Sequence, residues 1–165
     1  MRPWSLRLQK RASCWGSNTK TFTRVLGLDL GSKRIGVAVS DRSGIIATPL
    51  TVIRRGSAQS VDHREIARIA RDEEVEAIVV GLPLNMDGTE GRSAKAARFE
   101  VDRLATVVDM PVFLHDERLT TVEADRVLME ARMRAEARRR LVDKVAAAVM
   151  LQSWLDARRH ETGDH

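Results

Sequence analysis

Arg24-Val-Leu-Gly-Leu-Asp-Leu-Gly-Ser-Lys-Arg-Ile-Gly-Val-Ala-Val-Ser-Asp41 is the stretch whose reading decides the fold. Val25, Leu26, Leu28 and Leu30 are strand formers, and so are Ile35, Val37 and Val39. Gly31 and Gly36 bracket the segment between them, so the stretch reads as two strands joined by a tight turn. A near-continuous apolar run predicts a strand buried on both faces. Burying a carboxylate there without a partner costs several kcal/mol. Asp29 must therefore stand at a strand end, be paired, or hold a cation.

Outward from the hairpin, the chain alternates in type. Gly44 to Ile53 reads as a third strand, and Pro49 puts it at a sheet edge or marks a break. Ile66, Ile69 and Ala70 recur at helical spacing, with Ser60 or Asp62 as the expected cap. Glu76 to Pro83 is a short apolar strand, followed by a polar loop over 85–91. Ser93 to Val108 reads as a helix with Ala96, Ala97, Val101 and Leu104 as its apolar face. Met110 to His115 is a strand, Thr121 to Ala131 a helix, and Leu141 to Arg158 a longer helix. Three strands followed by alternating helices and strands predict an α/β fold, a mixed five-stranded sheet flanked by helices.

The 165 residues fit one domain. A chain near this length buries about 70% of its unfolded surface. With 43% hydrophobic and 31% charged residues it has the composition of a globular protein. The lone cysteine, Cys14, permits no internal disulfide. No apolar run approaches the roughly 20 residues of a membrane span.

The net charge of +5 is unevenly spread. Residues 1–24 hold six basic residues and no acidic one, which leaves 22 basic against 23 acidic residues in the remainder. Residues 1–23 read as a basic, disordered leader, 24–159 as the folded domain and 160–165 as a tail. The leader lacks the apolar core of a secretory signal, and its Arg- and Ser-rich composition also suits an organelle transit peptide. A cytoplasmic protein is the expectation, with an organellar one as the alternative.

Three carboxylates stand out. Asp29 lies in the first strand, Glu117 follows a strand, and Asp143 falls near the start of the last helix beside Ala146, Ala147 and Ala148. Small residues let that helix approach the sheet. Ligands of open α/β sheets gather at the carboxyl ends of strands. Three carboxylates brought together there need a cation, and oxygen-only ligands select Mg²⁺ or Mn²⁺. One or two such ions would serve phosphodiester hydrolysis. Each acid also has an ordinary role open to it: a turn cap for Asp29, a pair with Arg118 for Glu117, and helix-dipole stabilisation for Asp143.

Four segments taken together resemble the YqgF/RuvX family, relatives of the RuvC Holliday-junction resolvase in the ribonuclease H-like superfamily. They are Gly27-Leu-Asp-Leu-Gly-Ser-Lys-Arg-Ile-Gly-Val-Ala-Val-Ser-Asp41, Val80-Gly-Leu-Pro83, Asp116-Glu-Arg-Leu-Thr-Thr-Val-Glu-Ala124 and Val142-Asp-Lys-Val-Ala-Ala-Ala-Val-Met-Leu-Gln152. The resemblance spans residue 24 to about 158 and leaves out the leader. It implies a ribonuclease H-like fold and a divalent-metal nuclease with its acidic positions at Asp29, Glu117 and Asp143. It also implies a role in maturing the 5′ end of pre-16S ribosomal RNA.

A nuclease needs cations beside its acidic centre, because phosphate contacts dominate nucleic-acid affinity. Lys33 and Arg34 follow Asp29 in the turn. Arg118, Arg138, Arg139 and Lys144 flank the other two acids, within a basic run that includes Arg132, Arg134 and Arg140. Arg92, Lys95 and Arg98 share a helical face. A solvated helix face explains such runs equally well. Three alternatives stay open. They are a branched-DNA resolvase, which would act as a dimer, a nucleotide-phosphate domain of the sugar-kinase and actin type, and a non-catalytic binding module on nucleic acid or ribosomes. Monomer and homodimer are both compatible with the sequence.

Overall fold

The computed structural model describes residues 22–85, 87–116 and 135–162. Five strands form one sheet: β1 (Val25–Leu30), β2 (Arg34–Ser40), β3 (Ala47–Arg54), β4 (Ala77–Leu82) and β5 (Val112–Asp116). Three helices accompany them: α1 (Gln59–Asp72), α2 (Arg92–Val107) and α3 (Ala135–Thr162). The strand order is β3-β2-β1-β4-β5. The first three strands are antiparallel neighbours, and β1, β4 and β5 run parallel. The mixed five-stranded sheet is therefore as expected. The expected helix over Thr121 to Ala131 lies outside the described residues.

β1 is central, and Val25 to Leu28 are buried. Its alternating side chains serve two cores. Leu26 and Leu28 join Val37, Val80, Ile66 and Leu104 on the α1/α2 face. Val25 joins Ala38, Val79, Ala147, Leu151 and Trp154 on the α3 face. Burying side chains such as Leu151 and Met150 contributes about 1.5–3 kcal/mol each, which docks α3 on the sheet. Gln152 adds polar pins to β3, accepting the Ala47 N–H at 2.9 Å and donating to the Ile45 carbonyl at 2.8 Å. Among the described residues no helix is long and apolar enough to cross a membrane.

Pro49 behaves as expected, whereas several other local expectations need correction. β3 is an edge strand, and a register shift opposite Val37/Ala38 sets Pro49 against Ala38, so Pro49 marks both an edge and a break. Neither Ser60 nor Asp62 caps α1: its N-cap is Ala58, with no side-chain cap bond. Asp62 is instead buried. The inward face of α2 comprises Ala94, Ala97, Glu100, Val101 and Leu104, and Ala96 is exposed. Gly36 does not bracket the turn but lies within β2. α3 begins at Ala135, so Asp143 sits two turns inside it and the helix-dipole reading of that residue does not apply.

Candidate active site

Parallel strands end together, so the carboxyl ends of β1, β4 and β5 share one edge of the sheet. Asp29 is the penultimate residue of β1 and is half-buried. Its partner across the antiparallel pair is Gly36. Directly paired residues project to the same face. At Gly36 that face is filled by α3: a Cβ there would lie 2.0 Å from the Asp143 carbonyl oxygen and 3.4 Å from the Ala147 Cβ. Opposed Cβ atoms lie about 5 Å apart. The register thus sets the Asp29 side chain beside the Asp143 backbone, although 114 positions of numbering separate 29 from 143. The same stripe continues at Gly27, whose Cβ position is 2.8 Å from the Leu151 Cβ and 3.3 Å from the Ala147 carbonyl oxygen. The alanines after Asp143 do what their size suggested, since Ala147 and Ala148 are buried against the sheet.

The turn from Asp29 to Arg34 is tight. The Gly31 N–H donates to the Asp29 carbonyl at 3.1 Å. A Cβ on Gly31 would lie 2.5 Å from the Arg34 carbonyl oxygen, so glycine is required sterically there. Lys33 projects into solvent. Arg34 does not: its Nε lies 2.6 Å from Oδ2 of Asp143, with both side chains 27% exposed. Sequence reasoning treated these two residues as a phosphate contact and a metal ligand without linking them. Their opposite charges were the only available signal.

On the other side of β4, β5 carries His115 and Asp116, paired with Gly81 and Leu82. The His115 Nε2 meets the Ser153 hydroxyl of α3 at 3.0 Å, so this position also faces α3. Burial holds the imidazole below its ordinary pKa, against the pull of the Asp116 charge. Two strand spacings, about 10 Å, separate β1 from β5 across the sheet. Glu117 and Arg118 come next in sequence and lie outside the described residues, as do Arg132 and Arg134. Among the described residues no three His, Cys, Asp or Glu side chains form a metal-sized cluster. Of the three expected acids, Asp29 and Asp143 lie on the two elements that meet at Gly36, and Glu117 lies outside the described residues.

The proposed phosphate contacts are spread around this edge. Arg138 falls on α3, Arg139 and Arg140 are exposed there, and Lys144 is half-buried next to Asp143. Arg92, Lys95 and Arg98 are exposed on α2, and Arg98 pairs with Glu90 at 2.5 Å.

A family described as "RuvX: Holliday junction resolvase" matches residues 23–157. A Myxococcus xanthus protein provisionally named a pre-16S rRNA nuclease is 49% identical over 86% of this chain and 93% of its own length. A protein of the same name from Anaeromyxobacter dehalogenans is 52% identical over 82% of this chain and 98% of its own. Among solved structures, Thermus thermophilus RuvC in complex with a Holliday junction substrate superposes with a TM-score of 0.51 at 16% identity, covering 86% of this chain and 96% of that one. The yeast mitochondrial Holliday junction resolvase Ydc2 gives 0.52 at 12% identity, covering 97% and 88%. These two likenesses show a common ribonuclease H-like fold. The match across the whole sheet and α3, together with the relatives' identity, places the chain in the RuvX family.

Proposed function

We propose that this chain is a metal-dependent nuclease that hydrolyses phosphodiester bonds in the 5′ leader of pre-16S ribosomal RNA. The observation that supports the reading is Gly36, which pairs with Asp29 across the sheet and meets the Asp143 backbone of α3. The donor set fits a hard divalent cation, Mg²⁺ or Mn²⁺, because it offers carboxylate oxygens in half-buried positions. It also attracts positive charge, as the Arg34 guanidinium seated on Asp143 demonstrates. Asp29, Asp143 and Glu117, the residue directly after β5, would hold one or two ions. Such ions supply positive charge to the attacking and leaving oxygens.

The chain's own residues do the rest. Asp29 and Asp143 fix the place of the cleaved bond against the rigid sheet edge. Lys33, Arg118, Arg138, Arg139 and Lys144 bind flanking phosphates. Arg34 would join them where Asp143 held a divalent ion, since a pair this exposed contributes at most about 1 kcal/mol. Among the described residues Phe99 is the exposed aromatic side chain, so recognition runs through backbone and shape. The relatives' names favour ribosomal RNA over a DNA junction, and a single strand needs one active site, so a monomer suffices. Such an enzyme works in the cytoplasm, where the precursor is made.

The test is incubation of purified protein with a 5′-extended 16S precursor, its mature counterpart and a synthetic four-way DNA junction, each with Mg²⁺, Mn²⁺ or EDTA. Metal-dependent shortening of the precursor alone is the expected outcome. Cleavage confined to the junction would replace this reading with the resolvase one, and inertness toward all three would end the enzymatic reading.

A further inference from the structure

Arg55 follows β3 directly, and its side chain is 17% exposed. Its fork meets Glu100 of α2 twice, Nη1 to Oε1 at 2.5 Å and Nη2 to Oε2 at 3.0 Å. Nη1 also reaches Oδ2 of Asp62 on α1 at 3.4 Å. Asp62 and Glu100 are only 3% and 5% exposed. The other Asp62 oxygen accepts the Gly56 N–H at 2.8 Å, and Glu100 Oε1 lies 3.2 Å from Nε2 of the buried His63. From this anchorage Arg55 grips the β1–β2 turn. Its Nε–H donates to the Gly31 carbonyl at 3.0 Å, and its backbone N–H to the Lys33 carbonyl at 3.0 Å.

A buried ion network is a poor device for stability alone, because well-packed apolar side chains of equal volume often do as well or better. An apolar side chain at position 55 would keep the backbone bond to Lys33 but could not hold the Gly31 carbonyl. The turn that Arg55 grips begins two residues after Asp29 and delivers Lys33 and Arg34. A planar fork with fixed donors suits this task, since one edge satisfies Glu100 while Nε–H points elsewhere. A lysine ammonium is a single point and cannot span both.

We propose that Arg55 is a positioning residue: it ties the Gly31–Lys33 turn to the α1/α2 layer and so holds Asp29 and Arg34 against α3. This inference rests on the nuclease reading above. Among the described residues the Arg55 side chain bonds Glu100, Asp62 and the Gly31 carbonyl, so it acts through the turn. Reactive groups displaced by about 1 Å can lose on the order of 100-fold in rate.

The experiment compares Arg55→Lys, Glu100→Gln and a control, Ile69→Val, in the full chain. Melting temperature, kcat and KM for precursor cleavage, and amide exchange at residues 31–35 are measured for each. Arg55→Lys should lower kcat about 100-fold, with KM within about twofold, and speed amide exchange in the turn. Glu100→Gln keeps the arginine but weakens its anchor, and should cost about tenfold in kcat. Ile69→Val, a core change on α1, should lower the melting temperature and leave kcat unchanged. Wild-type kcat in folded Arg55→Lys overturns the proposal, as does an equal loss of kcat in Ile69→Val. If Arg55→Lys does not fold, an unchanged kcat in Glu100→Gln overturns it instead. A wild-type protein with no metal-dependent cleavage removes the nuclease reading itself and this role with it, a result distinct from an active wild type indifferent to Arg55.

Discussion

Arg34 holds Asp143 through a bridge that is a quarter exposed on each side, so water and salt keep it weak. Its release is easy, and its role in binding can be measured directly. Each phosphate contact contributes roughly one unit to the slope of log affinity against log salt. Arg34→Gln should therefore flatten that slope for RNA by about 1, and an unchanged slope would leave Arg34 as a purely structural partner of Asp143. Asp29→Asn and Asp143→Asn remove negative ligand charge while keeping shape. Each should reduce cleavage by more than the roughly 10–100-fold typical of losing a supporting hydrogen bond at a metal site. Retained cleavage in either variant would remove that residue from the centre. At this scale the sequence was uneven. Asp29 was legible because a lone acid in an apolar strand demands an explanation. Arg55 was not, because it reads as one of two basic residues after a strand. Nothing in local spacing tells that its fork turns inward to Glu100, 45 residues away. Asp62 misled for the same reason: its position suits a cap, but a buried arginine claims it.

α3 and β2 touch backbone to side-chain position at Gly36, and that contact sets the helix height over the sheet. Gly36→Ala would drive a methyl into a carbonyl group that no rotamer change can move. It should cost about 3 kcal/mol in thermal or denaturant unfolding, the upper end of ordinary overpacking. Gly27→Ala meets chiefly the Leu151 side chain, which can shift, so its loss should be smaller. Equal losses would mean that α3 is free to slide. The β2–β3 connection offers a pH test. Asp41 accepts N–H bonds from Ile45 and Ile46 at 2.8 and 3.0 Å and is bonded by the Ser43 hydroxyl. The Ser43 bond leads these in holding its carboxyl down to about 2. A carboxylate favoured in the folded state stabilises at pH values above its unfolded pKa, near 3.8, and that share is lost as pH falls through about 2. Asp41→Asn should melt a few degrees below wild type at neutral pH. The gap between the two should close as pH drops from about 4 to about 2. A gap independent of pH would assign the effect to the loop's shape rather than its charge. Strands and helices were readable because their apolar periods are intact. The length of α3 was not, because the basic run over 132–140 hides where its packing face begins.

Across the molecule, charge and fold are separable. At the start of the described body, the Phe22 and Phe113 rings lie 5.7 Å apart, and the Thr23 N–H binds Glu76 at 3.0 Å. Residues 1–21 carry five of the 28 basic side chains. We propose that they add cationic contacts to RNA. Deleting them should weaken RNA binding at low salt and reduce its salt dependence, while the melting temperature and the cleavage site stay the same. A changed cleavage site would give these residues a share in recognition. The fold class was legible from the order of elements, and its residual uncertainty lay in which faces meet, a question decided by two glycines in contact with a helix more than a hundred residues later.

That separation has a consequence in time. Synthesis at about 5–20 residues per second puts roughly 5–20 s between the emergence of Arg34 and that of Asp143, 109 residues later. During that interval the nascent hairpin carries Asp29 without the helix that completes its surroundings. A chain halted before residue 135 should cut nothing, because it lacks Asp143 and the helix that meets Gly36.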